Sequence, residues 1–417
     1  MKVCYVTMAF PVATETFACT DVRALLASGV SVSVQTLRAP RPRGLDEALR
    51  PFAWRRRARE AARLLAARGL GDLPVTHGSV AAVWRGLRFG AGAPRIVGSL
   101  LSWVVRQHWR RPTQLMKSLS LVPRALDILA TLQRQRADVV HLFWGHYPAM
   151  VGYLVRRYLP ETVLSMFLGA YDLERRYAGS GSLARTADVV WTHARCNISR
   201  VTTLGVAASR VRLAYRGIDA AAFQPNGVQK IPRRLLTAGR LCVEKGIYDV
   251  LGVFAQILSA WPDASLIVLG DGPERQRLTA VADRWGIGGR IAFRGHVGQD
   301  EVRTEMAAAE VFVSMSRSVS ERLPNVVKEA MASRCACVVT ETPGIEELVT
   351  HGTNGFVVAQ GDVDGASRQV DALLRDRAHA ATVGENARRH VLTHFDVAAS
   401  MKLYRDCWTQ LVLARNP

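Results

Sequence analysis

Apolar runs of strand length alternate with amphipathic runs of helix length along almost all of the 417 residues. That alternation admits parallel sheets with crossover helices and excludes all-β and all-α folds. Two series are legible. In the first, a strand at 3–8 leads through Pro11 into a helix near 15–28 and a strand at 30–37. A long basic region follows, and the pattern resumes with strands at 139–143, 163–167 and 189–191 and a helix near 148–158. The second series has strands at 235–238, 265–269, 290–293, 311–314, 336–339 and 356–358. Between the two, residues 220–232 are punctuated by Pro225, Asn226, Gly227 and Pro232, the composition of a linker. The expected organisation is a first domain over 1–219, the linker, a second domain over 233–395, and a terminal helix in 396–417 anchored by Leu403, Trp408 and Leu411. Two Rossmann-like halves facing a central cleft would hold ligands outside the carboxyl ends of their strands, so the strand-to-helix loops carry the search for chemistry.

No stretch approaches twenty apolar residues. The strongest run, 96–105, is too short to span a bilayer and contains Gly98 and Ser102. Residues 1–10 read as a first strand and not as a leader, so a cytoplasmic chain is expected. The seven cysteines are odd in number and lack zinc-ligand spacing, which makes small buried hydrophobes the default reading and predicts no metal site.

Charge is divided unevenly. Residues 1–216 hold 32 Lys and Arg against 12 Asp and Glu, whereas 217–417 hold 23 of each, so the whole excess of +20 lies in the first half. It is densest from Arg38 to Lys117, where Arg55-Arg56-Arg57, Arg110 and Arg111 are interleaved with Trp54, Trp84, Trp103 and Trp109. Basic and aromatic residues together suggest peripheral contact with an anionic membrane surface, on the cytoplasmic face of the inner membrane. A plainly solvated arginine-rich face would carry the same signature. Nucleic acid is not expected as a partner, because no recognition motif accompanies the charge.

In the second half, Glu321 and Glu329 stand eight positions apart around the start of one helix. Pro324 suits a helix start, and the helix is expected to run to about Ser333. Glu321 then lies in the preceding loop, while Asn325 and Glu329, one turn apart, share a polar face. Carboxylates there can grip sugar hydroxyls or simply cap the helix and favour its dipole, and the helix start favours a phosphate. Gly239-Arg240 follows one strand and Lys245-Gly246 precedes a helix, so two cations stand at a strand end where a diphosphate would sit. Fixed cations stabilise the charge that grows on a leaving diphosphate. Gly270-Asp271-Gly272-Pro273, Phe293-Arg294-Gly295-His296-Val297 and Pro343 to Glu347 each follow a further strand; the second offers backbone groups where a base would rest. A single glycine turn is a weak signal, and the order and shared placement carry the weight.

In that order the second half resembles the retaining glycosyltransferase family 4, whose architecture is the two-domain GT-B fold. Gly217-Ile218-Asp219 with Phe223 and Pro225 is also similar to the family's segment ahead of the second domain. The first half is thinner: Phe10-Pro11 with Glu15-Thr16-Phe17, and His141-Leu142-Phe143, resemble the exopolysaccharide and lipopolysaccharide branch. The resemblance implies transfer of a sugar from a UDP- or GDP-linked donor, with retention and without metal or other cofactor, to a lipid-linked or cell-envelope saccharide. It implies that Glu321 contacts the donor sugar, Glu329 the ribose, Arg240 and Lys245 the diphosphate, the Gly295-His296 backbone the base, and that Asn325 and Val326 offer N–H groups. Asp362-Val363-Asp364, the only Asp-x-Asp, reads as a helix cap.

The chain departs from that pattern at Gly169, where relatives commonly carry a histidine over the donor sugar. His141, His146 and Glu15 are the first-domain groups available to replace it, and His146, in Trp144-Gly145-His146-Tyr147-Pro148 after a strand, is preferred as the catalytic substitute. The departure leaves room for a catalytically silent partner in a polysaccharide assembly complex; a soluble small-acceptor transferase is the other alternative.

Overall fold

The computed structural model describes residues 1–12, 16–39, 53–175, 177–318 and 321–415, with the side chains of Thr16, residues 53–57 and Ala178 left aside. Glu15 lies outside the described residues, as do 40–52 of the basic region. The chain divides into two compact units: residues 1–215 together with 398–417, and residues 216–397.

The first unit is built on a seven-stranded sheet of β1 (Lys2–Thr7), β2 (Ser31–Thr36), β3 (Val75–Thr76), β4 (Val139–Leu142), β5 (Val163–Phe167), β6 (Val189–Thr192) and β7 (Val211–Leu213), in the order β3-β2-β1-β4-β5-β6-β7. All pairings are parallel. The order reverses between β1 and β4, as in a doubly wound Rossmann sheet. β3 and β7, of two and three residues, are too short to leave a periodic signal and were not expected.

Three helices, Val80–Ala91, Pro94–His108 and Pro112–Gln135, fill the chain between β3 and β4. The last carries Leu126, Ile128, Leu129 and Leu132 into the core. Gly86 brings the first against it so closely that a Cβ there would stand 1.7 Å from the Pro123 carbonyl oxygen. The terminal helix Val397–Leu413 belongs with this unit from Ala398 onward. Trp408 is fully buried and its indole N–H donates to Ser165 Oγ at 2.9 Å, while Tyr404 stacks on Trp191 at 3.9 Å. Leu403, expected as an anchor, faces solvent instead. The helix turns Met401, Tyr404 and Trp408 inward, and Leu403 falls on the opposite side of that stripe.

The second unit holds β8 (Arg234–Ala238), β9 (Ser265–Leu269), β10 (Ile291–Gly295), β11 (Val311–Ser314), β12 (Ala336–Thr340) and β13 (Phe356–Val358), all parallel, in the order β10-β9-β8-β11-β12-β13. The order reverses between β8 and β11. Buried Leu, Ile, Val and Ala on both faces match the continuous apolar runs of a covered parallel sheet. Asp362 caps the helix Val363–Arg375, its carboxylate accepting from Gly365 N–H at 2.8 Å. All seven cysteines are free; Cys4, Cys19, Cys335 and Cys337 are buried. Among the described residues, no helix is long and apolar enough to cross a membrane.

Candidate functional site

β8 and β11 are adjacent, with Leu235 beside Val311 and Leu236 beside Phe312, so the loops leaving their carboxyl ends meet where the strand order reverses. That reversal is where open α/β sheets bind ligands. The β8 loop turns through Gly239, with exposed Arg240, and a short helical turn Val243–Lys245 into the helix Ile247–Ala260. Gly246, at the junction, has φ +62°, and a Cβ on it would stand 1.9 Å from the Met315 carbonyl oxygen, so the position requires glycine. This close approach seats the β8 and β11 loops on each other. Arg317 N–H donates to the Glu244 carbonyl at 2.8 Å, and the Arg317 guanidinium grips Asp249 with Nε at 2.9 Å and Nη2 at 2.7 Å.

Within that junction Lys245 Nζ pairs with Glu321 Oε1, and Ser316 Oγ donates to Glu321 Oε2 at 2.5 Å. Thr340 Oγ1, at the end of β12, holds the Ser316 carbonyl at 2.6 Å. One carboxylate is thus oriented by a cation from β8, a hydroxyl from β11 and, behind them, a hydroxyl from β12. Sequence reasoning placed Lys245 and Glu321 on different parts of a ligand; the structure brings them into one ion pair. It missed Ser316, for which no sequence signal stands out.

The helix Asn325–Ala332 begins directly after Pro324. The Val327 and Lys328 N–H groups return to the Pro324 carbonyl at 3.1 and 3.2 Å, so those of Asn325 and half-buried Val326 precede the helix's own ladder. Lys328 is fully buried and donates to the Arg216 carbonyl at 2.8 Å and to Asn325 Oδ1 at 3.1 Å. Glu329 is partly buried; desolvation pushes its carboxyl up to about 7, against the opposing pull of the Lys328 and Arg303 cations. Gly270 N–H donates to the Gly295 carbonyl at 2.8 Å, tying the ends of β9 and β10 together, and His296 next to it is exposed.

In the first unit the loops after adjacent β4 and β5 meet in the same way. Asp172 is fully buried as a side chain and accepts from Gly145 N–H at 3.1 Å and Gly169 N–H at 3.3 Å, with His146 Nδ1 also at 3.3 Å. His146 lies among Trp144, Tyr147, Tyr171 and Tyr177, with ring centroids 5.5–6.3 Å away. The carboxylate that orients His146 was legible only as part of the segment after β5. At Gly169 a Cβ would stand 3.0 Å from a Phe167 ring carbon and 3.5 Å from Trp144, so aromatic rings occupy the space a longer side chain would need. His141 is no candidate: it is buried against Tyr5, Tyr404 and Trp408, with Nδ1 2.9 Å from Ser165 Oγ. Among the described residues no group of three or more His, Cys, Asp or Glu is placed to hold a metal ion.

Residues 219–390 match the family described as glycosyl transferases group 1. The chain is 26% identical over 280 residues to N-acetyl-alpha-D-glucosaminyl L-malate synthase of Bacillus anthracis, covering 63% of this chain and 72% of that protein. It is also 26% identical over 284 residues to the lipopolysaccharide core biosynthesis glycosyltransferase LpsE of Rhizobium meliloti, covering 64% and 80%. Among solved structures, HepE of Anabaena in complex with UDP superposes with a TM-score of 0.71 at 16% identity, covering 98% of this chain and all of that one. Nearly all of the second unit is therefore a glycosyl transferases group 1 domain, and the chain has the two parallel-sheet Rossmann-like units of its GT-B structural neighbours.

Proposed function

We propose that the chain is a retaining, metal-independent transferase that moves a sugar from a UDP- or GDP-linked donor to a lipid-linked or other cell-envelope saccharide, its first unit facing an anionic membrane surface. The observation that carries this reading is the junction of the β8 and β11 loops, where Lys245 and Glu321 are held together at the reversal of strand order. The likeness to a lipopolysaccharide core transferase supports the envelope acceptor.

On this reading Arg240 and Lys245 bind the diphosphate, and Glu321 accepts hydrogen bonds from hydroxyls of the donor sugar. Glu329 accepts from the ribose, the Asn325 and Val326 N–H groups meet phosphate oxygen, and the backbone at Gly295 and His296 borders the base. The bond from the anomeric carbon to the diphosphate oxygen breaks with its electron pair going to the diphosphate. The acceptor oxygen bonds to the same face of that carbon and gives its proton to a departing phosphate oxygen. The two cations stabilise the charge that develops there, which lowers the barrier because the attraction grows as the bond breaks. His146, oriented by Asp172, stands in for the histidine that relatives carry at the position of Gly169.

A panel of nucleoside diphosphate sugars, followed by NMR of the anomeric proton with and without chelator, tests the reading. Retained configuration unaffected by chelator is expected; inversion or chelator-sensitive turnover would contradict it. A catalytically silent partner is the second reading, favoured by Gly169 and its aromatic packing; it predicts donor binding without turnover.

A further inference from the structure

The helices Val80–Ala91 and Pro94–His108 are apolar on two opposite sides. One side of each is accounted for by packing: Ala82, Gly86 and Gly90 on the first, Leu100, Trp103, Val104 and His108 on the second. The other side is turned to solvent and still carries large apolar residues one turn apart. Val80, Trp84 and Leu87 form such a stripe on the first helix, and Leu101 and Val105, continued by Trp109, form one on the second. Trp84 is 67% exposed and Trp109 62%, values at which an indole is left in water unless something covers it. The two helices pack against each other as one layer, since a Cβ placed on Gly90 would stand 3.0 Å from Val97 Cγ2.

Charge identifies what covers that layer. From Leu73 to Leu126 the sequence contains no Asp or Glu. Arg88, Arg95, Arg106, Arg110, Arg111 and Lys117 are all exposed there, and the Arg110 guanidinium lies over the Trp109 ring at 4.6 Å. Indoles flanked by cations are the composition of a surface that enters the headgroup region of an anionic bilayer. A second copy paired face to face would set these cations against their own counterparts, a repulsive arrangement.

The geometry points to this two-helix layer as the docking face of the chain on an anionic lipid surface, with Trp84, Leu87 and Trp109 as the inserted side chains. The inference deepens the membrane-facing reading of the first unit and rests on it for its purpose, while its test needs no sugar transfer.

Co-sedimentation of the full chain with phosphatidylcholine vesicles, and with vesicles in which part of that lipid is replaced by phosphatidylglycerol, tests it. Binding is expected to the second kind and to weaken with salt. Two variants, Trp84→Glu with Trp109→Glu, and Arg88→Gln with Arg106→Gln and Arg110→Gln, should each lose roughly tenfold or more of that binding. Thermal melting and titration with UDP and with GDP serve as controls and should be unchanged. Equal binding to both kinds of vesicle, or undiminished binding by both variants, would overturn the inference. So would a concentration-dependent dimer that Trp84→Glu with Trp109→Glu splits, which would assign the face to a second copy. Failure to bind vesicles with UDP or GDP binding intact would remove the docking face and leave the transferase reading standing; failure to bind both UDP and GDP would strike the latter alone.

Discussion

The Lys245 ammonium and the Glu321 carboxylate, 76 positions apart in sequence, form an ion pair across the loops that leave β8 and β11. Neither side chain is far from solvent: 29% of the lysine and 15% of the glutamate side chain remain exposed. The pair is therefore worth about 1 kcal/mol or less to stability, and on the proposed reading its chief effect is to hold two donor-binding groups in place.

Lys245→Ala should accordingly reduce transfer by about a hundredfold or more, the usual result of removing a group that meets developing charge. Its melting temperature should stay close to that of the parent. Because Lys245 and Glu321 touch, their substitutions should not be additive: Lys245→Ala with Glu321→Gln should lose less than the product of the single losses. Kinetics of the double-mutant cycle measure this, and strict additivity would mean that the pair does not act as a unit.

Glu329 makes stability depend on pH and, on the proposed reading, donor affinity as well. With its carboxyl raised to about 7 from the ordinary 4.5, the folded chain holds a proton that the unfolded chain has released. The stabilisation is present at low pH and is lost as pH rises through about 7. Glu329→Gln should remove this loss, so urea midpoints well above pH 7 should favour the variant relative to the parent more than those well below it. If ribose hydroxyls donate to the carboxylate, UDP or GDP affinity should rise through the same interval in the parent and stay flat in the variant. Calorimetry in buffers of different ionisation enthalpy would detect the proton released on binding.

His146 and Asp172 should separate by readout. Asp172→Ala strands the buried N–H groups of Gly145 and Gly169, a cost on the order of 2–4 kcal/mol. His146→Ala strands neither and should lower turnover while leaving the denaturation midpoint nearly unchanged. Equal destabilisation by both substitutions would make the histidine a structural group.

Gly246 tests whether the loop junction is as tight as its geometry requires. Gly246→Ala adds a Cβ beside the Met315 carbonyl in a left-handed conformation. It should cost about 2 kcal/mol or more and, by shifting Lys245 from Glu321, weaken donor binding as well. Differential scanning calorimetry and UDP titration check the two effects together.

The long parallel strands were legible because each is a continuous apolar run buried on both faces, as Val163 to Phe167 and Ser265 to Leu269 illustrate. The helix after Pro324 and the cap at Asp362 were legible because proline and aspartate act locally. What the sequence concealed is what adjacency of strands creates. Lys245 meets Glu321, and Asp172 meets His146, only because β8 lies beside β11 and β4 beside β5. Lys328, polar by type, is buried because the Arg216 carbonyl and Asn325 satisfy its ammonium. Leu403 was misplaced as an anchor because apolar type alone does not fix which side of a helix faces the core.

Donor turnover tests the Lys245–Glu321 site most directly. The chain and its Lys245→Ala variant would be incubated with a panel of UDP- and GDP-sugars, and the release of nucleoside diphosphate followed by phosphorus NMR. The parent should bind and consume at least one donor, and the variant should lose that turnover. A parent chain that neither binds nor consumes any of them, or a variant that turns over donor at the parent's rate, would contradict the donor site proposed at that pair.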